Sequence, residues 1–545
     1  MSPITNENRK VETLRKQVEC QYSPVALFSR LSELGESSNR ILLESSEIDS
    51  KAELKSIIVN RTAVRIECNS NTVQLTAETA NGINALASLV KIFELPIKVS
   101  SSSRTELTLC YPEPSLAENQ LDEATRLKRL TPVECLRAIK AAFQQPENNP
   151  YSIFLAGLFS FDLIASFEQL PEVGNGTNSC PDFVFYLAEE VIVFDHQSHR
   201  STLYSNIFSG EDQQKHYYEQ SRRMQMIADA MSEQDQCLIS VSHSPNFSSD
   251  ELNKFGCDVS DQQFESIVTR LKDEIIAGNV FQVVPSRTFS IACPNQLLSY
   301  QKLKETNPSP YMFYLEDKNF ILFGASPESA LKYTEASRQV ELYPIAGTRA
   351  RGRNSTGHID HDLDKRLETE LKLDQKEVSE HMMLVDLARN DIARISETAS
   401  VKIPRLLEID RYSQVMHLVS CVQGKLRNDL DCLHAYQACM NMGTLTGAPK
   451  IKATEIIRKT EGQRRGSYGG AVGYINSSRD MDSCIVIRSA FCKNGQAYIQ
   501  AGAGIVFDSV PKLEADETKN KANAVILAIQ LANQELIDKE SVNDE

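Results

Sequence analysis

The pattern of apolar and polar positions predicts many short strands in the first half of the chain. The stretches 56–59 and 63–68 have the composition of strands in a sheet with one solvent-exposed face. Near-continuous apolar runs at 153–159 and 183–187 are typical of buried strands, and 189–195 predicts one more. A large share of this half should therefore be β-sheet.

Start and stop signals mark helices between these strands. Thr131 predicts an N-cap, with Pro132 in the first turn and Glu134 in the third position of a capping box. Ser260 predicts the start of another helix, and Gly278 its end. Both helices carry apolar side chains at helical spacing, so each should pack one face on a core.

The second half of the chain also mixes strands and helices. Strand-like pieces such as 280–284, 484–488 and 505–507 are separated by helices, without a regular strand–helix–strand repeat. A doubly wound parallel fold requires that repeat. The pattern therefore predicts an α+β fold with large antiparallel or mixed β-sheets, which form a sandwich-like core flanked by helices.

One long polar stretch, 233–257, lacks periodicity and is typical of a linker. It predicts an N-terminal domain at 1–232 and a second domain at 258–525, with a C-terminal helix and tail at 526–545. The length of 545 residues is enough for two large domains, each with its own core.

Composition narrows the class of protein. No apolar run approaches the roughly 18 residues of a membrane span, and the polar start has no signal-peptide core. The thirteen cysteines are scattered without a CxxC pair, which favours reduced thiols in a cytoplasm. A net charge of −15 disfavours nucleic acid. We expect neither nucleic acid nor a membrane as a partner, and a carboxylate substrate would need a local cation or a metal ion.

A glycine-rich turn at 502–504 precedes a charged helix and is the first candidate for chemistry. Its glycines leave backbone N–H groups uncovered, so an anion could approach closely. Glu514, Glu517 and Lys521 follow at spacings of three and four and share one helix face. A solvated helix end after a tight turn explains the same pattern equally well.

Other candidate residues lie upstream of this turn. Glu377 and Glu380 are three apart in a helical pattern, where one could bind a metal and the other transfer protons. A solvated acidic face is the plainer alternative. His417 is the one histidine in an apolar strand. Such a histidine is usually a core residue whose ring nitrogens have hydrogen-bond partners within the protein. Arg488 ends an apolar strand and should therefore have an anionic partner.

Four motifs in order carry a specific resemblance: PIAGTR at 344–349, KEVSEHMMLVDLARND at 376–391, GTLTGAPK at 443–450 and GAGIVFDS at 502–509. Together they resemble the chorismate-utilising enzymes, and among these the large subunits of anthranilate synthases. The resemblance covers nearly the whole chain. It implies a carbon–oxygen lyase that converts chorismate and ammonia to anthranilate and pyruvate, in the first committed step of tryptophan biosynthesis.

The resemblance also implies a site. Mg²⁺, held by Glu380 and Glu517, would bind the ring carboxylate of chorismate. Glu377 would serve as the acid at the leaving hydroxyl, and His417 would move a proton during pyruvate elimination. The substrate-binding residues that it implies are Gly347, Thr348, Tyr468, Arg488, Gly502, Ala503, Gly504 and Lys521.

Two positions separate branches of the family. Isochorismate-forming relatives carry a water-activating lysine where Gln282 stands, which favours ammonia as the nucleophile. Aminodeoxychorismate synthases typically have a nucleophilic lysine where Ala346 stands, and alanine cannot attack a carbon centre. That branch is the weaker interpretation of this chain.

The N-terminal segment LLESSEIDSK at 42–51 resembles a feedback-inhibition motif of tryptophan-sensitive members. The resemblance implies a binding site for L-tryptophan formed by Ser45, Pro310, Tyr311 and Met312. The absence of tryptophan from the whole chain agrees with such a role, although drift gives the same count.

The resemblance implies a partner as well. The chain has no G-x-C-x-G cysteine elbow, so a separate glutamine amidotransferase would supply the ammonia. The expected assembly is a heterotetramer of two large and two small subunits. A tryptophan-sensing binding module without catalysis is the alternative from a different class, and the intact set of candidate catalytic residues speaks against it.

Overall fold

The computed structural model describes residues 11–20, 22–33, 38–45, 55–93, 97–113, 122–143, 149–198, 200–232, 252, 254–354, 356–412 and 415–543. The strands are β1 (Val11–Val18), β2 (Arg40–Glu44), β3 (Lys55–Asn69), β4 (Thr72–Ala77), β5 (Lys98–Ser102), β6 (Glu106–Cys110), β7 (Leu155–Phe159), β8 (Phe183–Asp195), β9 (Arg200–Phe208), β10 (Phe255–Cys257), β11 (Gln282–Val283), β12 (Ser286–Ala292), β13 (Tyr311–Glu316), β14 (Ile321–Ser326), β15 (Ser329–Thr334), β16 (Gln339–Leu342), β17 (Ile345–Ala350), β18 (Lys402–Arg411), β19 (Val415–Lys425), β20 (Gly447–Ala448), β21 (Ala471–Ile475), β22 (Met481–Ile485), β23 (Ser489–Lys493) and β24 (Gln496–Gly502).

The helices are α1 (Pro24–Glu33), α2 (Ala80–Val90), α3 (Glu123–Leu127), α4 (Glu134–Ala142), α5 (Gln213–Ser232), α6 (Asp261–Ile276), α7 (Gln296–Thr306), α8 (His361–Leu373), α9 (Gln375–Ile395), α10 (Cys432–Cys439), α11 (Gly443–Thr446), α12 (Lys450–Glu461) and α13 (Pro511–Asn543). A 3-10 helix spans Phe161–Ser166. No helix within the described ranges is both long and apolar enough to cross a membrane.

Two large antiparallel sheets share the long strands β3 and β8. The first runs β1-β9-β8-β3-β2-β13-β14-β23-β24-β12-β10. The second runs β5-β6-β4-β3-β8-β7-β21-β22-β15-β16-β19, with β17 beside β16 along β19 and β18 on its other edge. The sandwich-like α+β fold predicted from the pattern is confirmed.

Three apolar layers hold the sandwich together. Side chains such as Val59, Tyr186 and Phe313 form the layer between the two sheets. Helices α1, α5, α7 and α13 cover the outer face of the first sheet, and α2, α4, α9 and α10 cover that of the second. The order of layers is therefore helix, sheet, sheet, helix.

Strands from both sides of the predicted linker share both sheets. In the first sheet β2 pairs with β13, and in the second β7 pairs with β21. Most of 233–257 lies outside the described residues, and its last three residues form β10. Helix α13 runs without a break through residues 525 and 526, where the C-terminal helix was predicted to begin.

Several local predictions differ from the structure. The stretches 56–59 and 63–68 belong to one strand that is buried on both faces, because β3 lies between helices and the opposite sheet. The helix after Thr131 starts only at Glu134 and has no side-chain cap, since a turn from Glu134 N–H to the Thr131 carbonyl comes first. At Ser260 the predicted helix start is confirmed, and Ser260 forms a capping box with Gln263.

The predicted strands near the candidate turn are shorter than expected. Strand β11 has only two residues, and 505–507 contributes one bridge, from Ile505 to Val283. Strand β22 ends at Ile485, three residues before Arg488. The backbone of 281–284 bonds to the segment 446–448 instead, from the Phe281 amide to the Ala448 carbonyl at 2.7 Å and from the Val284 amide to the Thr446 carbonyl at 3.0 Å.

Candidate active site

The predicted site residues come from distant segments and form one connected group. Strands β17 and β19 bring Gly347, Thr348 and His417 together, and α9 packs on both strands. Helix α13 packs on β24, which ends at Gly502. The site therefore lies where α9 and α13 approach the ends of strands from the two sheets.

Glu380 lies at one end of this group. Its Oε1 accepts a hydrogen bond from Gln282 Nε2 at 3.0 Å. A Cβ on Gly504 would lie 2.6 Å from Gln282 Nε2 and 3.4 Å from Glu380 Oε1, so a larger residue there would displace the Gln282 amide from Glu380. Burial raises the pKa of Glu380, and the carboxylates of Glu377 and Glu517 raise it further. Negatively charged carboxylates are therefore concentrated around Glu380.

Glu377 lies on the same face of α9, one turn before Glu380. Arg349 pairs with Glu377 at 3.4 Å and with Asp374 at 2.8 Å. Gly347, with φ of +65°, allows this packing, because a Cβ there would lie 3.2 Å from Glu377 Oε2.

His417 is buried at 4% exposure in β19. Its Nδ1 lies 3.2 Å from the Gly347 carbonyl and 3.0 Å from Thr348 Oγ1. We assign the proton to Nδ1, because the carbonyl can only accept. Nε2 is then an acceptor, and it has no partner among the described residues. Burial lowers the pKa of His417 to about 4, with the charge of Arg488 a smaller cause.

Arg488 has a left-handed backbone, with φ of +48°. Burial lowers the pKa of its guanidinium, and Glu328 and Tyr412 oppose that shift. Within the part of the chain that the structure describes, no carboxylate lies within the 4.0 Å of an ion pair with Arg488. The anionic partner that the sequence predicted for Arg488 is therefore not a carboxylate in direct contact with it among the described residues.

Glu328 is a site residue that the sequence interpretation missed. Thr444 Oγ1 donates to its Oε1 at 3.1 Å. Burial raises the pKa of Glu328 to about 8, against the opposing charges of Lys521 and Arg488. The carboxyl group therefore holds a proton at neutral pH. The available signal was an acid two residues after the apolar strand β14, in the sequence ASPES at 325–329.

Tyr468 and Lys521 lie on either side of Gly502. Lys521 Nζ donates to the Gly502 carbonyl at 3.0 Å and pairs with Glu517 at 2.7 Å. A Cβ on Gly502 would lie 3.1 Å from the Tyr468 hydroxyl. Burial raises the pKa of Tyr468 to about 12, so its hydroxyl stays a donor. The sequence predicted that backbone N–H groups at 502–504 are open to a ligand. The Ala503 amide, however, donates to the Pro285 carbonyl at 3.2 Å.

The donor set suits Mg²⁺. In the described residues, no three histidine, cysteine or carboxylate side chains form a complete metal cage. Magnesium is usually held by one or two carboxylates together with waters and substrate oxygens. Glu380 and Glu517 provide that number, and a cation would relieve the like charges around Glu380. Glu514 is buried nearby, where Glu517 contributes to its raised pKa.

The residues predicted to bind tryptophan also lie together, on the first sheet. Glu44 pairs with Met312 in the β2–β13 ladder, so Ser45 follows at the end beside Tyr311. Pro310 and Met312 are buried, and the Tyr311 hydroxyl donates to Asp482 at 3.2 Å. Glu44 itself accepts from Tyr300 and Lys304, each at 2.6 Å. Residues 46–50 lie outside the described part of the chain.

Known proteins match this chain over nearly its whole length. The anthranilate synthase component 1 of Vibrio parahaemolyticus is 48% identical over 97% of this chain and 95% of that relative. Its Escherichia coli counterpart is 47% identical over 94% of this chain and 95% of that relative.

Solved structures share the fold. Anthranilate synthase component I from Streptococcus pneumoniae aligns with a TM-score of 0.63 and 28% identity, over 88% of this chain and 94% of that one. The menaquinone-specific isochorismate synthase of Escherichia coli aligns with a TM-score of 0.61 and 16% identity, over 96% of this chain and 95% of that one. At this identity the similarity concerns the fold alone. The family described as chorismate binding enzyme matches residues 100–527. This chain therefore belongs to the chorismate binding enzyme family.

Proposed function

We propose that this chain converts chorismate and ammonia to anthranilate and pyruvate. Ammonia adds at C2 of the ring as the C4 hydroxyl leaves as water, which gives an aminated intermediate. Loss of the C2 proton and the enolpyruvyl group then releases pyruvate. The observation that carries the proposal is the partly buried guanidinium of Arg488, which no carboxylate of the described residues approaches to ion-pair distance. A protonated Glu328 and the unprotonated nitrogen of His417 both lie within its electrostatic reach.

Arg488 and Tyr468 are suited to hold the enolpyruvyl carboxylate. A buried guanidinium binds a carboxylate through strong charge-assisted hydrogen bonds, and the Tyr468 hydroxyl adds a neutral donor. The other end of the substrate carries the ring carboxylate. We assign that group to the side of Glu380 and Glu517, where bound Mg²⁺ would supply the positive charge that offsets three carboxylates.

We assign the first proton transfer to Glu328 rather than to Glu377. Hydroxide is a poor leaving group, so the C4 oxygen needs a proton as the bond breaks. With a pKa of about 8, Glu328 holds that proton at neutral pH. Glu377 instead pairs with Arg349 at 3.4 Å and packs against Gly347, close to the metal end.

His417 is suited to the second proton transfer. Elimination of pyruvate removes the proton from C2, and a neutral imidazole with a free Nε2 accepts it. The contacts of Nδ1 with Thr348 and the Gly347 carbonyl keep that nitrogen protonated and Nε2 free. A pKa of about 4 keeps the ring neutral at physiological pH.

A fluorescence assay tests the proposal, because anthranilate fluoresces and chorismate does not. The purified chain is mixed with chorismate, Mg²⁺ and ammonium at pH 8, and product is followed with and without EDTA. We expect anthranilate only when Mg²⁺ is present. Tight tryptophan binding without any product would contradict the proposal and favour a sensing module.

The name component 1 in the relatives implies a second component. We infer that this component is a glutamine amidotransferase, in a heterotetramer of two large and two small subunits. We also infer a cytoplasmic enzyme that L-tryptophan inhibits through Ser45, Pro310, Tyr311 and Met312. The same assay, with glutamine in place of ammonium and no partner, should yield no anthranilate.

A further inference from the structure

Tyr412 is a buried tyrosine beside the candidate site, and none of the four sequence motifs includes it. It directly follows β18, which ends at Arg411, and it begins the short turn into β19. Turns between strands usually run over the surface of a protein and face solvent. The Tyr412 side chain is nevertheless only 8% exposed, so something in the molecule holds it inwards.

The aromatic ring of Tyr412 packs on the imidazole of His417. The two ring centroids are 5.5 Å apart and the ring planes are inclined at 60°, which is an edge-to-face arrangement. The Nδ1 atom of the same imidazole contacts Thr348 Oγ1 and the Gly347 carbonyl. The imidazole is therefore held in two ways, by polar contacts at one nitrogen and by a packed aromatic ring.

The backbone of Tyr412 is fixed at both of its polar groups. Its N–H donates to the Val415 carbonyl at 2.8 Å, which closes the turn. Its carbonyl accepts from Arg351 at 2.7 Å, and Arg351 also donates twice to Asp364, each time at 2.9 Å. Arg351 directly follows β17, the strand that carries Thr348. The ring of Tyr412 is thus anchored to the same strand that contacts Nδ1 of His417.

The electrostatic surroundings of Tyr412 show that its side chain projects towards the site. Burial raises the pKa of the Tyr412 hydroxyl, and the charges that act on it include Arg488 and Glu328. No hydrogen bond from the described residues contributes to that pKa. The specific contact of this side chain is therefore made by its ring rather than by its hydroxyl.

We propose that the ring of Tyr412 is a positioning group for His417, which it holds so that Nε2 points at the C2 proton of the aminated intermediate. This inference rests on the proposed function. Contacts at Nδ1 alone leave the imidazole free to tilt about its Cβ–Cγ bond, because that torsion has broad minima. The packed ring removes this freedom. Amination needs no base at His417, so only the elimination of pyruvate depends on the packing.

The test compares the two halves of the reaction in Tyr412→Leu and Tyr412→Phe. Each chain is mixed with chorismate, Mg²⁺ and saturating ammonium, and quenched samples are separated by liquid chromatography. In Tyr412→Leu we expect anthranilate to form about 10- to 100-fold more slowly, because a misplacement of about 1 Å at a reacting atom has an effect of this size. Chorismate should still be consumed, so the aminated intermediate accumulates. Tyr412→Phe keeps the ring, so both rates should stay within about twofold of wild type.

Tyr436→Leu is the matched control, since it removes a buried ring that does not contact His417. Tyr436 lies in α10, is 2% exposed and stacks on Phe159 with the ring centroids 4.4 Å apart. Its loss should leave the ratio of intermediate to anthranilate unchanged. In initial-rate samples this ratio does not depend on how much of the chain is folded, so it separates positioning from stability.

Three results would contradict the proposal. An unchanged ratio in Tyr412→Leu, whether both rates fall together or neither falls, would leave Tyr412 a purely structural residue. A Tyr412→Phe chain as impaired as Tyr412→Leu would assign the effect to the hydroxyl, and so overturn positioning by the ring. In each case the proposed function stands if the wild-type chain makes anthranilate. A wild-type chain that makes no anthranilate from chorismate and ammonium would overturn the proposed function itself.

Discussion

Glu328 shows how one buried acid can be prepared for catalysis. It lies where a carboxylate is poorly solvated, and the nearby cations Arg488 and Lys521 only partly offset that cost. Its proton is therefore retained up to about pH 8. His417 is the complementary case, because burial keeps it neutral and its geometry leaves one nitrogen free. The two groups are prepared for opposite proton transfers in one site.

Replacing Glu328 with glutamine should lower the turnover of chorismate by about 100- to 10,000-fold, the usual contribution of a general acid. In the unaltered enzyme, kcat/KM should fall as the pH rises through about 8, since the proton is present below that value and lost above it. The variant should lack this fall. Initial rates from pH 6 to 10 measure both effects. A Glu377→Gln variant with the greater loss of turnover would instead assign the acid to Glu377.

Replacing His417 with methionine should separate the two halves of the reaction. Amination needs no base at this position, whereas removal of the C2 proton does, so the aminated intermediate should accumulate in place of anthranilate. Liquid chromatography of quenched reactions detects it. His434→Met is the control, because His434 caps α10 outside the site. Full anthranilate production by His417→Met would refute the base assignment.

Helix α9 carries Glu377 and Glu380, and its position depends on a buried ion pair further along it. Lys450 Nζ, at the start of α12, lies 2.6 Å from Asp391 and donates to the Cys439 carbonyl at 2.7 Å. Both charged side chains are less than 10% exposed. The sequence GTLTGAPK, which superficially suggests a phosphate loop, thus ends in a lysine that anchors one helix to another.

Replacing Lys450 with methionine should lower the free energy of unfolding by about 3 kcal/mol, because the buried Asp391 carboxylate loses its nearest cation and keeps the more distant Arg394 at 3.7 Å. The double variant Lys450→Met/Asp391→Leu should recover much of that loss. Urea unfolding of the three proteins provides the comparison. A double variant no more stable than Lys450→Met would mean that the pair is not what holds α9 in place.

At the scale of the whole molecule, the first sheet connects the proposed tryptophan site with Glu328. Tyr311 pairs with Ser326 in the β13–β14 ladder. The Ser326 hydroxyl donates to the Glu328 carbonyl at 3.2 Å and accepts from the Glu328 amide at 3.3 Å. A ligand that shifts β13 therefore has a short, contiguous route to the backbone of the proposed acid.

Replacing Ser326 with alanine should weaken feedback inhibition several-fold, because coupling free energies between sites are typically 1–3 kcal/mol. The concentration of tryptophan that halves anthranilate synthesis measures the effect. Ser205→Ala is the control, since Ser205 is buried in β9 and its hydroxyl donates to Gln220, away from both sites. Inhibition equal to wild type in Ser326→Ala would show that the sites communicate by another route.

The sequence by itself determined the fold class, the family and most of the candidate site. Alternating patterns report which face of a strand is buried, and the motifs at 344–349, 376–391 and 502–509 name residues that do meet in space. Local periodicity contains this information, because the side chains of successive strand residues point to opposite faces of the sheet.

Only the tertiary structure decided how strongly each group is buried and which charges lie near it. Glu328 was overlooked because its pKa depends on Thr444, Arg488 and Lys521, which lie more than 100 residues away in sequence. The same holds for the two faces of β3, buried by helices on one side and a sheet on the other. Protonation states and partners are properties of the surroundings of a residue, and those surroundings exist only after the chain has folded.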